Sequence, residues 1–389
     1  MTDEGTMTRA RPKSGAASEG ASALGTVGRR DARTLVTGAT GFLGAHLVDE
    51  LQRRGVGPLR TLQSGPAPAR SGTQGRLGVG VGVGDGAGAV EVEIMRGSVT
   101  SRADLKRALA GVSHVYHLAG FVSHKAEDAH RMYAVHVDGT RLLCEAAIEA
   151  GVERIVMAST SGTVAVSRRA DAELDEDSPA PVEIIGQWPY YASKLYQEAV
   201  ARRVCGGRVE LVTVNPSLLL GPGDDRLSST RLVLQYLGRE IALCPSGGLS
   251  FVDVRDVARV LPEAMERGRH GERYLLGAVN WTFAELFGRL ERMTKVPGPL
   301  IRGRGKLPWL AARAQGALYR QLGRTPPVEA VAVDMASYHW YFESRKAAAE
   351  LGFATREPST TLFDTVRYVR ERFLGSDVMS RPDAPAMKA

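Results

Sequence analysis

The stretch that decides the fold is TLVTGATGFLGAHLVDEL, from Thr34 to Leu51. An apolar run that predicts a strand is followed by Gly38, Gly41 and Gly44, and then by leucines at helical spacing. Glycines at such a junction allow a tight turn, close approach of the backbone to phosphates, and close packing of helix on strand. The helix N-terminus adds unpaired N–H groups and a partial positive charge. The spacing therefore predicts a site for the diphosphate of a dinucleotide.

Predicted strands and helices alternate from this stretch to about residue 220 and become less regular and more helical afterwards. Such alternation predicts an α/β fold, a Rossmann-like doubly wound parallel sheet, with a smaller, mostly helical C-terminal substrate lobe. A Gly-rich tract predicts a flexible insert, and the polar, small-residue ends predict disorder. The expected division is a leader at 1–33, a dinucleotide-binding domain at 34–220 with its insert at 65–90, a substrate lobe at 221–375 with 251–280 returning to the core, and a tail at 376–389.

Composition narrows the class of protein. The formal net charge is +7, but much of the excess lies in residues 296–327, so a nucleic-acid partner is not expected. Three cysteines without metal or redox spacing predict no metal site and fit a reducing cytoplasm. The leader lacks the apolar core of a secretory signal, and no run of apolar residues is long enough to cross a membrane. We therefore expect a cytoplasmic protein.

The basic segment at 296–327 alternates apolar and basic residues, and three interpretations stay open. It could pack an apolar face on the lobe with its arginines in solvent, or form a lid whose arginines meet an anionic substrate. It could also rest on a membrane surface near a lipophilic substrate.

Tyr190 and Lys194 form a Y-x-x-x-K pair within a predicted helix. Residues at i and i+4 share a helix face, so the ammonium is expected to lower the pKa of the phenol. Such a tyrosine exchanges a proton with an oxygen whose carbon undergoes hydride transfer. The pair follows a predicted buried strand that ends near Thr160 and Ser161, whose hydroxyls are expected at the carboxyl edge of the sheet, where ligands bind.

The end of the second predicted strand carries no acidic residue to hold a ribose 2′-hydroxyl. This absence favours NADP over NAD as the cofactor. Arg60 and Arg70 are the candidate partners of a 2′-phosphate, and each could equally be a solvated surface charge.

Taken in order, TGATGFLG, VYHLAG, YYASK and NPSLLLGPGD resemble the extended short-chain dehydrogenase/reductases. That group includes nucleotide-sugar epimerases and dehydratases, dihydroflavonol reductases and 3β-hydroxysteroid dehydrogenases. The resemblance extends from about Thr34 to Gly375 and implies an NAD(P)-dependent oxidoreductase acting on a small molecule. Since many relatives pair through helices of the dinucleotide domain, it leaves a homodimer open.

The resemblance also implies roles for single residues. Tyr190 would be the general acid/base, with Lys194 lowering its pKa and holding the nicotinamide ribose. Ser161, or Thr160 if the register differs by one, would bind the substrate oxygen. His117 and the three residues after it would line the cofactor. The full expected cofactor set, with Arg60 added, is Gly38, Thr40, Gly41, Phe42, Leu43, Gly44, Arg60, Leu118, Ala119, Gly120, Lys194, Pro216 and Ser217.

Two positions depart from the family pattern. Gly97-Ser98 stands where many relatives have Gly-Asp at the adenine, and His136 stands where many have an asparagine that supports a proton relay. His136 could serve the relay or simply pack in its helix.

The stretch STSGTVAV lacks the acid and base that sugar dehydratases carry after this strand. Reduction of a ketone, or oxidation of the alcohol, is therefore the first prediction. Epimerisation of a nucleotide sugar with tightly bound NAD is the alternative. A non-catalytic dinucleotide sensor is disfavoured because such proteins typically lose the tyrosine–lysine pair.

Overall fold

The structure, a computed structural model, describes residues 33–65, 90–172, 174–299, 301–302, 321 and 330–375. The predicted leader up to residue 32, nearly all of the Gly-rich insert, most of the basic segment and the predicted tail lie outside the described residues.

The strands begin with TLVT, a clear apolar run, and LRTLQ, a weaker strand prediction, and both form strands. In chain order the described strands are β1 Arg33–Thr37, β2 Leu59–Gln63, β3 Val92–Arg96, β4 Val112–His117, β5 Arg154–Ala158, β6 Glu210–Pro216, β7 Leu218–Leu220, β8 Leu243–Cys244, β9 Gly248–Asp253, β10 Arg273–Leu276, β11 Val279–Thr282 and β12 Ile301–Arg302.

Seven of these strands form one parallel sheet in the order β10-β6-β5-β4-β1-β2-β3. The chain winds outwards from β1 to one side through β2 and β3, and to the other side from β4 onwards. The predicted doubly wound sheet is confirmed. The order reverses between β1 and β4, and ligands of such sheets bind at the carboxyl ends of the strands beside this point.

The helices cover both faces of the sheet and build the lobe. The described α-helices are α1 Phe42–Arg53, α2 Arg102–Ala108, α3 Ala129–Tyr133, α4 Gly139–Ala150, α5 Val182–Ile185, α6 Pro189–Cys205, α7 Arg231–Leu237, α8 Val254–Arg267, α9 Phe283–Thr294, α10 Ala330–Met335, α11 Arg345–Leu351 and α12 Pro358–Val369.

Local sequence explains where the helices near the site begin and end. Pro189 opens α6, where a missing N–H is harmless, and Gly206 ends the helix in the left-handed conformation. Gly151 ends α4 in the same way. The chain is helical from Ala129 to Ala150, and this stretch contains a π-turn at Ala134–Asp138. Such turns recur at functional sites.

Apolar side chains are buried on both faces of the sheet. On one face α1 packs on α8, with Leu47 and Leu261 fully buried. On the other face, Leu105 of α2, Leu143 of α4 and Ala201 of α6 share a second cluster. Burying a leucine contributes about 1.5–3 kcal/mol, so the two clusters hold the strand ends in place.

The C-terminal part adds a three-stranded sheet of β7, β9 and β11, on which α7, α9 and α12 form a third cluster. Two elements of the 251–280 segment lie with the main sheet instead: β10 pairs with β6, and α8 packs on α1. None of the helices in the described ranges combines the length and apolar character needed to cross a bilayer.

Candidate active site

The glycine turn joins β1 to α1 at the carboxyl edge of the sheet. Gly38 has φ +74°, the left-handed region that glycine favours, and a Cβ there would lie 2.6 Å from the carbonyl carbon of Leu118. A Cβ on Gly44 would lie 2.2 Å from the carbonyl oxygen of Gly38. Both contacts are too close for any side chain, so this turn packs as tightly as the sequence motif predicts.

The N-terminus of α1 is built to attract an anion. Gly41 is its N-cap, no side chain caps the first N–H groups, and the first turn contains no acidic residue. Thr40 and Phe42 are partly exposed beside it, whereas the Leu43 side chain is buried in the core. Only the backbone of Leu43 is therefore available to a ligand at this helix end.

Arg226 brings a positive charge to this turn from the C-terminal part of the chain. Its Nη2 approaches the Thr40 hydroxyl oxygen to 3.4 Å, and the side chain is exposed. The loop that carries it is rigidly held, since the carboxylate of Asp224 accepts five hydrogen bonds from residues 228–230. Nothing in the local sequence indicated this role, because Thr40 lies 186 positions away.

His117 ends β4 and is fully buried. Its Nδ1 lies 2.8 Å from the Thr37 hydroxyl and its Nε2 lies 2.8 Å from the Thr140 hydroxyl. Burial lowers its pKa to about 3, so the ring is neutral. The next residues pass directly beside the glycine turn, where Ala119 N–H donates to Thr37. The predicted run from Leu118 to Gly120 thus lies against the predicted diphosphate site.

Tyr190 lies in the first turn of α6, partly exposed. No hydrogen bond joins its hydroxyl to any other residue that the structure describes. Burial of the phenol raises its pKa to about 12. At neutral pH Tyr190 is therefore protonated and able to donate a proton.

Lys194, one turn further along α6, is 5% exposed. Its Nζ donates to the carbonyl oxygen of Ala158 at 2.8 Å and to Gln197 Oε1 at 2.6 Å. Burial lowers the Lys194 pKa to about 8, and the Glu198 carboxylate opposes this shift. The expectation that Lys194 lowers the pKa of Tyr190 is wrong for this arrangement, since burial dominates and the ammonium is directed at other acceptors.

Thr160 and Ser161 follow β5 directly. The Thr160 hydroxyl accepts from the Gly162 N–H at 3.3 Å and caps the short helix at Ser161–Thr163. The Ser161 hydroxyl forms no hydrogen bond within the described part of the chain. Ser161 is therefore the one of the two whose hydroxyl is available to a ligand.

Glu198 organises this end of the sheet, although the sequence did not point to it. Its Oε1 accepts from the hydroxyls of Ser159 and Thr163 and from Asn215 Nδ2, which lies 2.8 Å away. Arg273 of β10 lies 3.6 Å from the second carboxylate oxygen. These bonds fix the ends of β5 and β6 relative to α6, which carries Tyr190.

Pro216 ends β6, and Ser217 follows it. The Ser217 N–H donates to Leu276 at 2.9 Å, but its buried hydroxyl oxygen has no hydrogen-bond partner among the described residues. A buried polar atom without a partner costs free energy, and a bound ligand removes that cost.

His136 occupies the π-turn and is fully buried. Its Nε2 accepts from the Phe121 N–H at 3.0 Å, so the proton must lie on Nδ1 and be donated to Ser193. Ser193 in turn donates to the carbonyl oxygen of Tyr190. Burial, with a contribution from Lys194, lowers the His136 pKa to about 2. His136 thus braces the helix of Tyr190 and does not titrate near neutrality.

Arg60 does not reach the site, and its predicted contact with a 2′-phosphate is wrong. It is the second residue of β2, 8% exposed, and donates to the carbonyl oxygens of Ala108 and Ala110 at the C-terminal end of α2. It also pairs with Glu93 at 2.9 Å. These acceptors lie at the edge of the sheet opposite the glycine turn. The other predicted arginine, Arg70, lies outside the described residues.

A different arginine lies close to the carboxyl end of β2. Arg96 ends β3, the strand paired with β2, and its guanidinium donates to the carbonyl oxygen of Gly65 just past the end of β2. Gln63, the last residue of β2, is buried and bonds to Thr61. The end of β2 itself therefore offers no free carboxylate, whereas β3 supplies a cation.

Aromatic rings form a wall next to Tyr190. The Tyr191 ring lies 5.0 Å from that of Tyr190 and 4.8 Å from Trp340, and Trp340 stacks on Trp188 at 5.6 Å. Trp340 belongs to the segment between α10 and α11, far from α6 in sequence. This wall presents apolar surface beside the phenol.

Together these groups fit a dinucleotide. The turn has no space for side chains, and within the described part of the chain no side chain caps the helix N-terminus and none bonds to the Ser217 hydroxyl. Within the described residues, no group of three or more His, Cys, Asp or Glu side chains could hold a metal ion.

Comparison with known proteins assigns the chain to a group with this arrangement. Residues 34–277 match the NAD dependent epimerase/dehydratase family. The sterol demethylase protein B of Methylococcus capsulatus is 31% identical, over 87% of this chain and 98% of its own. The 4-hydroxy-2-methyl-3-oxo-4-farnesyl-3,4-dihydroquinoline-1-oxide ketoreductase of Stigmatella aurantiaca is 28% identical, over 86% of this chain and 96% of its own.

Among solved structures, the crystal structure of gox2253 superimposes with a TM-score of 0.71 at 28% identity, covering 87% of this chain and 98% of its own. The likeness thus extends over the sheet and most of the C-terminal lobe.

Proposed function

The chain is a member of the NAD dependent epimerase/dehydratase family, an NAD(P)-dependent oxidoreductase of the extended short-chain type, and on this premise we propose that it reduces an apolar ketone. The observation that carries the proposal is the state of Tyr190. Its phenol is protonated at neutral pH, and Tyr190 lies on α6 close to the short helix after β5, where the Ser161 hydroxyl makes no hydrogen bond within the described residues. A protonated phenol is the form that reduction requires.

Each residue has a separate task in this reaction. A bound nicotinamide supplies the hydride that adds to the carbonyl carbon. The Tyr190 hydroxyl donates its proton to the carbonyl oxygen as the C=O bond becomes a C–O–H group. Ser161 donates a hydrogen bond to the same oxygen, and the Lys194 ammonium, which donates to Ala158 and Gln197, would hold the nicotinamide ribose with its remaining hydrogen.

The aromatic wall supports an apolar substrate. Tyr191 and Trp340 are partly exposed and offer ring surface to a ligand, whereas Trp188 is buried behind them and stacks on Trp340. The ketoreductase of Stigmatella aurantiaca, whose name contains a farnesyl group, offers a parallel.

The test is to mix purified protein with NADPH and a panel of aryl and polycyclic ketones, with UDP-glucose as the alternative substrate. We expect nicotinamide absorbance to fall in step with formation of an alcohol. Conversion of the sugar nucleotide without net change in the nicotinamide would contradict ketone reduction and support the epimerase.

We propose NADP as the cofactor because β2 ends without a free carboxylate and Arg96 lies beside that end. In this proposal two arginines bind different phosphate groups of the cofactor. Arg96 would hold the 2′-phosphate, and Arg226, which approaches Thr40 of the glycine turn, would hold the diphosphate.

Substituting each of these arginines separates the two contacts. Arg96→Gln is expected to weaken NADPH binding about tenfold or more while leaving NADH binding unchanged, because only NADPH carries the 2′-phosphate. Arg226→Gln is expected to weaken both nucleotides to a similar extent. Fluorescence titration with both nucleotides measures the four affinities. Arg202→Gln, at an exposed position on α6, is the control. Equal losses for NADH and NADPH in Arg96→Gln would refute its assignment.

A further inference from the structure

Gln197 is a buried amide on the catalytic helix, three residues after Lys194, and the reaction described above leaves it without a task. Its side chain is fully buried, and its Oε1 accepts from the Lys194 Nζ at 2.6 Å. We propose that Gln197 is a positioning residue that sets both the direction and the charge of the Lys194 ammonium. This inference rests on the proposed role of Lys194 beside Tyr190 and the cofactor.

A series of buried, hydrogen-bonded polar groups holds the amide nitrogen of Gln197 in place. Its Nε2 donates to the Thr140 hydroxyl at 3.0 Å, and the same oxygen lies 2.8 Å from His117 Nε2. His117 Nδ1 in turn lies 2.8 Å from Thr37 at the end of β1. Thr37, His117, Thr140 and Gln197 are all 0% exposed. The series therefore links the strand before the glycine turn to the catalytic lysine.

This series fixes which way the amide faces. An ammonium has only donors, so the group facing Lys194 must be the amide oxygen. The amide nitrogen then faces Thr140, whose hydroxyl can accept. Reversing the amide would place N–H against the Lys194 ammonium and leave two buried polar groups without partners.

The direction of Lys194 follows from its partners. The ammonium has three hydrogens, and two are donated to Ala158 and Gln197. Because both acceptors are groups of the chain itself, the third hydrogen of the ammonium remains for a ligand. If Gln197 were replaced, the Ala158 carbonyl oxygen would be the one remaining acceptor of the ammonium among the described residues.

The other titratable groups around Lys194 keep their charge in the pH range of interest, so the Gln197 amide acts on the Lys194 pKa independently of them. On α6 itself, Glu198 favours the charged lysine and Tyr190 is protonated. On β4 and the π-turn, the pKa values of His117 and His136 lie at about 3 and about 2, so both rings are neutral in the working range. Arg273 lies behind Glu198 on β10. None of these groups changes charge when Gln197 is replaced by a side chain of similar length.

The experiment compares Gln197→Met with Gln197→Glu in the full-length protein. The NADPH dissociation constant is measured by fluorescence from about pH 6.5 to 10, because a charged Lys194 would hold the nicotinamide ribose. Methionine removes the acceptor, so the pH at which affinity is lost should fall by about one unit; glutamate adds a charge, so it should rise by about one unit. Where a ketone substrate is in hand, the alkaline limb of kcat should move in the same two directions.

Two further variants make the result decisive. Thr140→Val removes the group that orients the amide and should shift the profile in the same direction as Gln197→Met, by less. Gln52→Met, at an exposed position of α1, should shift nothing. Opposite shifts in Gln197→Met and Gln197→Glu support the proposal. Loss of affinity in both variants with an unmoved pH dependence, or no change in either, overturns it. Absence of NADPH binding by the unsubstituted protein would instead refute the proposed cofactor and, with it, this role.

Discussion

Replacing Tyr190 with phenylalanine is expected to lower kcat by about two to four orders of magnitude, the usual contribution of a positioned acid. The reason is that the substitution removes the only group proposed to donate the proton. Stability should be nearly unchanged, because the Tyr190 hydroxyl bonds to no described residue and phenylalanine keeps the ring contacts with Tyr191 and His136. NADPH binding should also persist. Ketone-dependent NADPH oxidation, thermal unfolding and nucleotide titration measure the three quantities.

Tyr191→Phe is the matched control. Tyr191 is adjacent in sequence, its ring contacts Tyr190 and Trp340, and burial likewise raises its pKa. Since it has no proposed role in proton transfer, its loss of kcat should stay within a few-fold. Comparable losses in both variants would contradict the assignment of Tyr190 as the acid.

Gly44→Ala is expected to weaken NADPH binding by about tenfold or more and to destabilise the fold by about 1–3 kcal/mol. The added methyl group would lie 2.2 Å from the carbonyl oxygen of Gly38, and this contact is with backbone. The turn must therefore open, which moves the N–H groups at the start of α1. Nucleotide titration and chemical unfolding measure the two effects.

Gly288→Ala offers a control within another helix. Gly288 lies inside α9, and its added Cβ would lie 3.5 Å from Arg292 Nη1, an ordinary contact. Because alanine favours helix more than glycine, this variant should gain up to about 1 kcal/mol and bind NADPH normally. If Gly44→Ala also binds NADPH normally, the turn is not the diphosphate site.

The features that sequence predicts well are those set by neighbours along the chain. The glycine turn is such a feature, because Gly38 and Gly44 are required by contacts inside one β–α unit. The pair Tyr190 and Lys194 is another, because helical spacing alone puts them on one face. The parallel sheet follows similarly from alternating elements, and it brings the end of β5, with Ser161, to the carboxyl edge.

The features that sequence predicts poorly depend on partners far away in the chain. Arg60 has the right charge near the right strand, yet the carbonyl oxygens of α2 hold it at the opposite edge. Arg96 comes close to the end of β2 through a strand pairing, and Arg226 comes close to the glycine turn through a loop of the C-terminal part. Gln197 gains its role only because Thr140 and His117 lie beneath α6.

The pKa of Tyr190 illustrates the same limit. A nearby lysine predicts a lowered pKa from spacing alone, but the value depends on how deeply the phenol is buried and on what the ammonium contacts. Burial raises the pKa of Tyr190, and the Lys194 ammonium does not offset this shift because it donates to Ala158 and Gln197 instead. The resulting protonated phenol is suited to reduction.

The most direct test of the account is to identify any nucleotide released when the purified protein is denatured, and to titrate the native protein with NADPH and NADH. A ketone reductase must exchange its cofactor at every turnover, so we predict an empty site that binds NADPH reversibly and more tightly than NADH. Tightly retained NAD that does not exchange would contradict the account and favour an epimerase, and absence of binding by either nucleotide would contradict it altogether.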